Sequence, residues 1–304
     1  MRDRLPELGL LLVVVVWAST FVLTKQAFGE INPLAFAFVR FAGITVLAFG
    51  VLATSVRAGR AQWHMCPRDV PRFVAVGVCG YTLYQLGFVL GLERTSPFSS
   101  SLLIGTVPLF TILLLALSGE RPPLRAWIGV SIAFCGAVVF LLDKFGTPGT
   151  LIGDLLSLGS AISFATYGIV NRPLVRRYPT ATYTAYTVFA GAVPLLAVSM
   201  PGALAQDWQA VSLGSWVVVG YMIVLPVYVA YMVWNWGIAR RGAAAASSFS
   251  VLTPVVSGML SVLTFGEAFD LGKLVGAGLV RAGLVALQPR AEGARRTTME
   301  PETA

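Results

Sequence analysis

The chain has 304 residues, of which 56% are hydrophobic and 12% charged, with a net charge of +8. A soluble globular domain carries about 25% charged residues, so most of this chain cannot form a water-facing surface. The three cysteines and the single histidine, His64, supply neither a disulfide framework nor a metal or catalytic cluster, so no metal and no cofactor are expected.

A span needs about 20 mostly apolar residues to cross about 30 Å of hydrocarbon. Ten apolar segments meet or approach that length: 8–28, 33–54, 73–92, 97–118, 126–142, 151–171, 181–200, 214–235, 243–265 and 273–289. The first follows Arg2 and Arg4 and could pass for a signal peptide, but its pattern recurs later, so it is read as a span. It carries Trp17, Thr20 and Thr24 on one face and Lys25 near its end. The second holds Arg40 about 10 Å deep, at 1.5 Å per residue. The third presents Tyr81, Tyr84, Gln85 and Phe88 at helical spacing, and the fourth is interrupted by Pro108. Glu120 precedes the fifth, in which Gly129 and Gly136 lie two turns apart on one face, a pattern that suits close helix contact. The sixth bears Ser163, Tyr167 and Asn171, and the eighth Tyr228, Tyr231 and Asn235. The ninth is interrupted by Pro254. The tenth follows Glu267 and contains Gly276, Gly283 and Arg281. Residues 291–304 are polar and are expected to be a disordered cytoplasmic tail.

Two features organise these spans. Landmarks recur at a shift of 146 or 147: Lys25 with Arg172, Pro108 with Pro254, Gly119-Glu120 with Gly266-Glu267, and Gly129 and Gly136 with Gly276 and Gly283. The repeats are therefore 1–145 and 146–290. Five spans per repeat is an odd number, so the second copy enters the membrane inverted, the usual architecture of secondary transporters. With the N-terminus inside, four of the 22 Lys and Arg (Lys25, Arg94, Lys144, Lys273) fall outside, and Arg40 and Arg281 lie within spans. The remaining sixteen fall inside, which predicts cytoplasmic termini and an even span count. The basic balance is thus topological and calls for no nucleic-acid partner. The expected fold is an all-α membrane protein with ten transmembrane helices in a 5+5 inverted repeat.

Facing lipid, the polar groups of the four stripes would be unsatisfied, so they are expected to point inward, lining a pocket or packing between helices. The candidate substrate residues are Trp17, Thr20, Lys25, Arg40, Tyr81, Tyr84, Gln85, Tyr167, Tyr228, Tyr231 and Asn235. Pro108 and Pro254 are candidate hinges, since a proline inside a helix removes a hydrogen bond. Every Asp and Glu is read as lying in a loop, a terminus or a span end, whereas Arg40 is well inside. That asymmetry favours an anionic or zwitterionic solute. Arg40 can equally bond backbone carbonyls or pair with Glu30 or Glu93. With 3.6 residues per turn, Arg281 points well away from both Gly276 and Gly283. It can snorkel, meet a second copy of the chain or reach the cavity. A channel and an intramembrane enzyme are the rival functions, but no charge ring, filter-like run, histidine or central carboxylate recommends either.

Trp17-Ala18-Ser19-Thr20-Phe21 with Lys25, Thr95-Ser96, Ser99-Ser100-Ser101, Val107-Pro108-Leu109-Phe110 and Gly119-Glu120 resemble the first half of the drug/metabolite transporter superfamily. Arg240-Arg241-Gly242-Ala243, Thr253-Pro254-Val255 and Gly266-Glu267 resemble its second half, and the best fit is the EamA-type ten-helix permeases. The resemblance implies export or exchange of amino acids, nucleotide-linked or other metabolites across the bacterial inner membrane. Its partners would be a small-molecule substrate, the lipid bilayer and, in a homodimer, a second copy. Arg281 departs from the pattern, standing where the final helix of such proteins is usually apolar.

Overall fold

The computed structural model describes residues 5–142, 148–241, 249, 252–268 and 270–287, without the side chains of residues 148, 231, 235, 238, 239 and 241. Every regular element among them is helical. Eight stretches are long and apolar enough to cross a membrane, and Thr253–Phe265 is a shorter apolar helix. Of the expected ten spans, the ninth lies partly outside the described residues. The tenth is a 17-residue helix that carries Lys273 and Arg281.

The chain begins with α1 (Leu5–Ala27) and α2 (Pro33–Arg57). Asn32 starts α2 by accepting from the amides of Leu34 and Ala35, and Pro33 loses nothing in the first turn, where its missing N–H would be unpaired. The next span is not one regular helix. It runs as α3 (Val70–Gly77), a π-helical turn over Val78–Leu83, and α4 (Tyr84–Arg94). The expected fourth span is likewise two helices, α5 (Pro97–Ile104) and α6 (Val107–Leu117), with a break at Gly105-Thr106. Then come α7 (Leu124–Leu142), α8 (Pro148–Val170), the short α9 (Arg172–Arg177) and α10 (Thr180–Ala205). The eighth span repeats the interruption of the third: α11 (Leu213–Val224), a π turn over Leu225–Val229, and α12 (Ala230–Arg241). The last helices are α13 (Thr253–Phe265) and α14 (Leu271–Leu287).

The two π turns begin at Val78 and Leu225, positions related by the same shift as the sequence landmarks. Each inserts an extra residue into the helical ladder, a distortion that concentrates at functional sites. The glycine pairs obey that shift too. A Cβ on Gly129 would meet the Gly283 carbonyl at 2.9 Å, and one on Gly136 would meet the Gly276 carbonyl at 2.8 Å. As the first number rises the second falls, so α7 and α14 run antiparallel through a seam where only glycine fits. Elsewhere, Phe41, Ile44, Ala48 and Leu52 of α2 pack against Ala185, Val188, Ala192 and Leu195 of α10.

One sequence expectation needs correction. Asp154, read as a span-end residue, is fully buried. It lies six residues into α8, roughly 9 Å along the axis. Thr95 donates a hydrogen bond to it at 2.5 Å.

Candidate functional site

Arg40 sits on α2, with its Nη1 donating weakly to the side-chain amide oxygen of Gln85 at 3.5 Å. Gln85, on α4 just past the first π turn, is 1% exposed. Two buried donors in this pair, Arg40 Nε and Gln85 Nε2, have no hydrogen-bond partner. Leaving a buried donor unpaired costs about 1–3 kcal/mol. Such groups are therefore rare unless something else supplies the acceptor.

An aromatic wall runs from this pair. The Arg40 guanidinium carbon lies 6.0 Å from the centre of the Phe41 ring. From there the rings follow at 6.2 Å to Tyr81, 5.9 Å to Tyr167, 5.3 Å to Phe164 and 5.0 Å to Tyr84. Tyr84 stacks on Phe88 at 6.4 Å, and Phe88 meets Phe21 of α1 at 5.5 Å. The Tyr167 ring reaches Tyr81 because Gly80, inside the π turn, has no Cβ: one placed there would collide with that ring. Thr82 anchors the same turn by donating to the Gly191 carbonyl on α10 at 2.7 Å.

The structure thus brings Arg40, Tyr81, Tyr84, Gln85 and Tyr167 together. Trp17 belongs to the neighbouring group. Its indole N–H donates to the Pro226 carbonyl in the second π turn at 3.3 Å, and its ring lies 5.0 Å from Trp234. Tyr228, three residues into that turn, keeps its buried hydroxyl without a partner. Thr20 is half-buried and donates to the Trp17 carbonyl at 2.6 Å. The side chains of Tyr231 and Asn235 lie outside the described residues.

Lys25 is placed differently. Its ammonium donates to the carbonyls of Leu92 and Glu93 at 2.8 and 2.7 Å. Those carbonyls end α4, where unpaired acceptors and the negative end of the helix dipole favour a cation. Neither Glu30 nor Glu93 is an ion-pair partner of Arg40: Glu93 pairs with Arg94 at 2.6 Å, and Glu30 holds Ser212. Pro108 and Pro254 each occupy the first turn of a helix, α6 after the Gly105-Thr106 break and α13 after its N-cap Leu252. The Gly105-Thr106 break adjoins the start of α13, since a Cβ on Gly105 would lie 3.5 Å from the Pro254 ring.

Residue-by-residue reading missed a polar seam on α8. Asp154, Ser157 and Ser160 are all fully buried at intervals of three. They bond Thr95, Ser100 and the Tyr84 carbonyl respectively. The three-residue spacing was the signal that could have found it, as one helical face of small polar residues.

The model of the EamA-like transporter family matches residues 4–142 and 151–287. The chain belongs to the EamA-like transporter family. This transporter is 26% identical over 272 residues to a protein named "Uncharacterized transporter YyaM" of Bacillus subtilis, covering 88% of each chain. It is 27% identical over 295 residues to a "Probable terminal-alkyne amino-acid exporter" of Streptantibioticus cattleyicolor, covering 96% of each. A solved crystal structure shares the fold with a TM-score of 0.61 at 21% identity, over 97% of this chain and 99% of the other. With its apolar helices, this member of the family is a multi-pass membrane transporter.

Proposed function

We propose that this EamA-like transporter carries small anionic or zwitterionic metabolites, amino-acid-like in their charge, by alternating access across a bacterial inner membrane. The observation that carries the reading is the pair of orphaned buried donors, Arg40 Nε and Gln85 Nε2, set in an aromatic wall. A substrate carboxylate would supply the missing acceptors, since an arginine can hold a carboxylate through two parallel hydrogen bonds. The adjoining ring faces would take the apolar part of the solute or its ammonium group. The named amino-acid exporter among the relatives agrees with that chemistry.

Alternating access requires two halves that can exchange conformations. Ten helices in two inverted five-helix halves, with both termini cytoplasmic, would provide them. Three observations support this architecture: π turns at repeat-equivalent positions, the helix break at Gly105 adjoining the helix start at Pro254, and repeat-equivalent glycines on antiparallel helices. The helix starts at Pro108 and Pro254 would be the hinges.

The test is counterflow in proteoliposomes with radiolabelled neutral and acidic amino acids. Arg40→Ala should raise the apparent KM about tenfold or more, and Arg40→Lys less, because lysine keeps the charge but offers only a point donor. Lys25→Met should instead lower thermal stability and leave KM near the wild-type value, because its ammonium is spent on two backbone carbonyls. Normal transport of a carboxylate substrate by well-folded Arg40→Ala would make Arg40 structural. A plain cation as best substrate would overturn the charge argument altogether.

A further inference from the structure

Arg281 belongs to none of the machinery described above. It lies on α14, six residues before the helix ends at Leu287, roughly 9 Å along the axis. The glycine seam occupies the opposite side of α14, and Arg281 is exposed. Around it the exposed face is apolar: Leu274 is 54% exposed and Val285 53%. The repeat-equivalent position in the first half, Phe134 on α7, is 56% exposed and apolar. On the reading of α14 as the last span, this is a lipid-facing position, and in this half of the chain it carries a guanidinium.

Arg281 has no hydrogen bond or ion pair among the described residues. A bare cation within a span is costly, up to about 2.5–3.5 kcal/mol at a helix centre, so it must draw in an anion or water. The described residues of α7 and α14 contain no Asp or Glu, while they do contain Arg125, Lys273 and Arg281. Two copies meeting through this face would therefore oppose like charges, which disfavours a second copy as the partner. Register adds direction. Gly129 meets Gly283, so the C-terminal end of α14 lies beside the start of α7, where Arg121 and Arg125 stand. That basic end is the one assigned to the cytoplasmic leaflet, whose surface is rich in anionic lipid.

We propose that Arg281 is a binding site for the headgroup phosphate of an anionic phospholipid, held against the exposed face of α14. The planar guanidinium fits a phosphate through two parallel hydrogen bonds, and the apolar residues on the same face lie along the acyl chains.

The full-length protein would be extracted from vesicles of phosphatidylcholine mixed with phosphatidylglycerol, and the lipids that remain bound counted by native mass spectrometry. The wild type should retain phosphatidylglycerol over phosphatidylcholine by about tenfold, the worth of one good charge-assisted contact. Arg281→Phe installs the residue type found at the equivalent position of the first half and should bring that preference close to one. Arg281→Leu serves if the phenylalanine variant folds poorly, and Arg281→Lys should fall between. An unchanged preference in a folded Phe or Leu variant would overturn the proposal, as would no preference in the wild type. A wild-type dimer that Arg281→Phe converts to monomers would also overturn it, by placing a second copy on this face.

Discussion

Placing a methyl group in the glycine seam gives a direct measure of the α7–α14 contact. A Cβ on Gly276 would stand 2.8 Å from the backbone nitrogen of Phe140, 2.8 Å from its Cβ and 2.9 Å from its Cα. Carbon atoms pack at about 3.5–4.0 Å, so the helices must part by roughly 1 Å, because two of the atoms in the way are backbone and the third is a Cβ fixed to it. Overpacking of this kind costs about 1–3 kcal/mol, and dispersion is lost along the rest of the seam. Gly278, two residues away on the same helix, has nothing within 4 Å of its Cβ position. There alanine should be neutral or stabilising, because it is the better helix former by about 1 kcal/mol. The assay is thermal unfolding of the purified protein in mild detergent. Gly276→Ala should melt several degrees lower than the wild type and Gly278→Ala at or above it. Gly129→Ala should match Gly276→Ala, because its Cβ would meet the Gly283 carbonyl and the Leu287 side chain, each at 2.9 Å. Equal stability of the Gly276 and Gly278 variants would refute the close packing of this seam.

Two further outcomes follow from contacts outside the membrane. The Glu30 carboxylate accepts from the Ser212 amide at 2.8 Å and its hydroxyl at 3.0 Å, and these bonds hold its pKa below the ordinary value of 4.5. A carboxylate lowered in the folded state stabilises fully above its unfolded pKa. That contribution is lost as pH falls through the folded value, so Glu30→Gln should lower stability at neutral pH and flatten the acid limb of the profile, the two curves converging at low pH. On the other face, the Tyr178 hydroxyl donates to buried Asp69 at 2.6 Å, while Arg177 pairs with Asp69 at 2.9 Å. Burial and the Asp69 acceptor hold the phenol above its usual range. Tyr178→Phe removes one of the partners of a buried carboxylate and should lower unfolding stability by about 1–3 kcal/mol, read by denaturant melts.

The sequence by itself determined the membrane and the helices, and it carries the recurring landmarks. Twenty-residue apolar stretches can satisfy their backbone in lipid only as helices, and a shift of 147 between landmarks survives any uncertainty about helix ends. It also selected Arg40, Tyr81, Tyr84, Gln85 and Tyr167, because polar side chains at helical spacing in an apolar run need an interior. Tertiary structure decided what local pattern does not encode. The π turns at Val78–Leu83 and Leu225–Val229 hold Gly80 and Pro226, which weaken a helical ladder, but a local weakness does not specify the form the distortion takes. Lys25 and Arg40 look alike as cations near a membrane, but partners 67 and 68 residues away commit Lys25 to two carbonyls, while Arg40 keeps a free donor. Asp154 looked like a helix-end residue until α4 and α5 covered it, and Arg281 had three possible surroundings until the glycine seam turned it outward. Burial and pairing depend on which distant segment arrives at a given face, and a span's own periodicity records only that it has a face to offer.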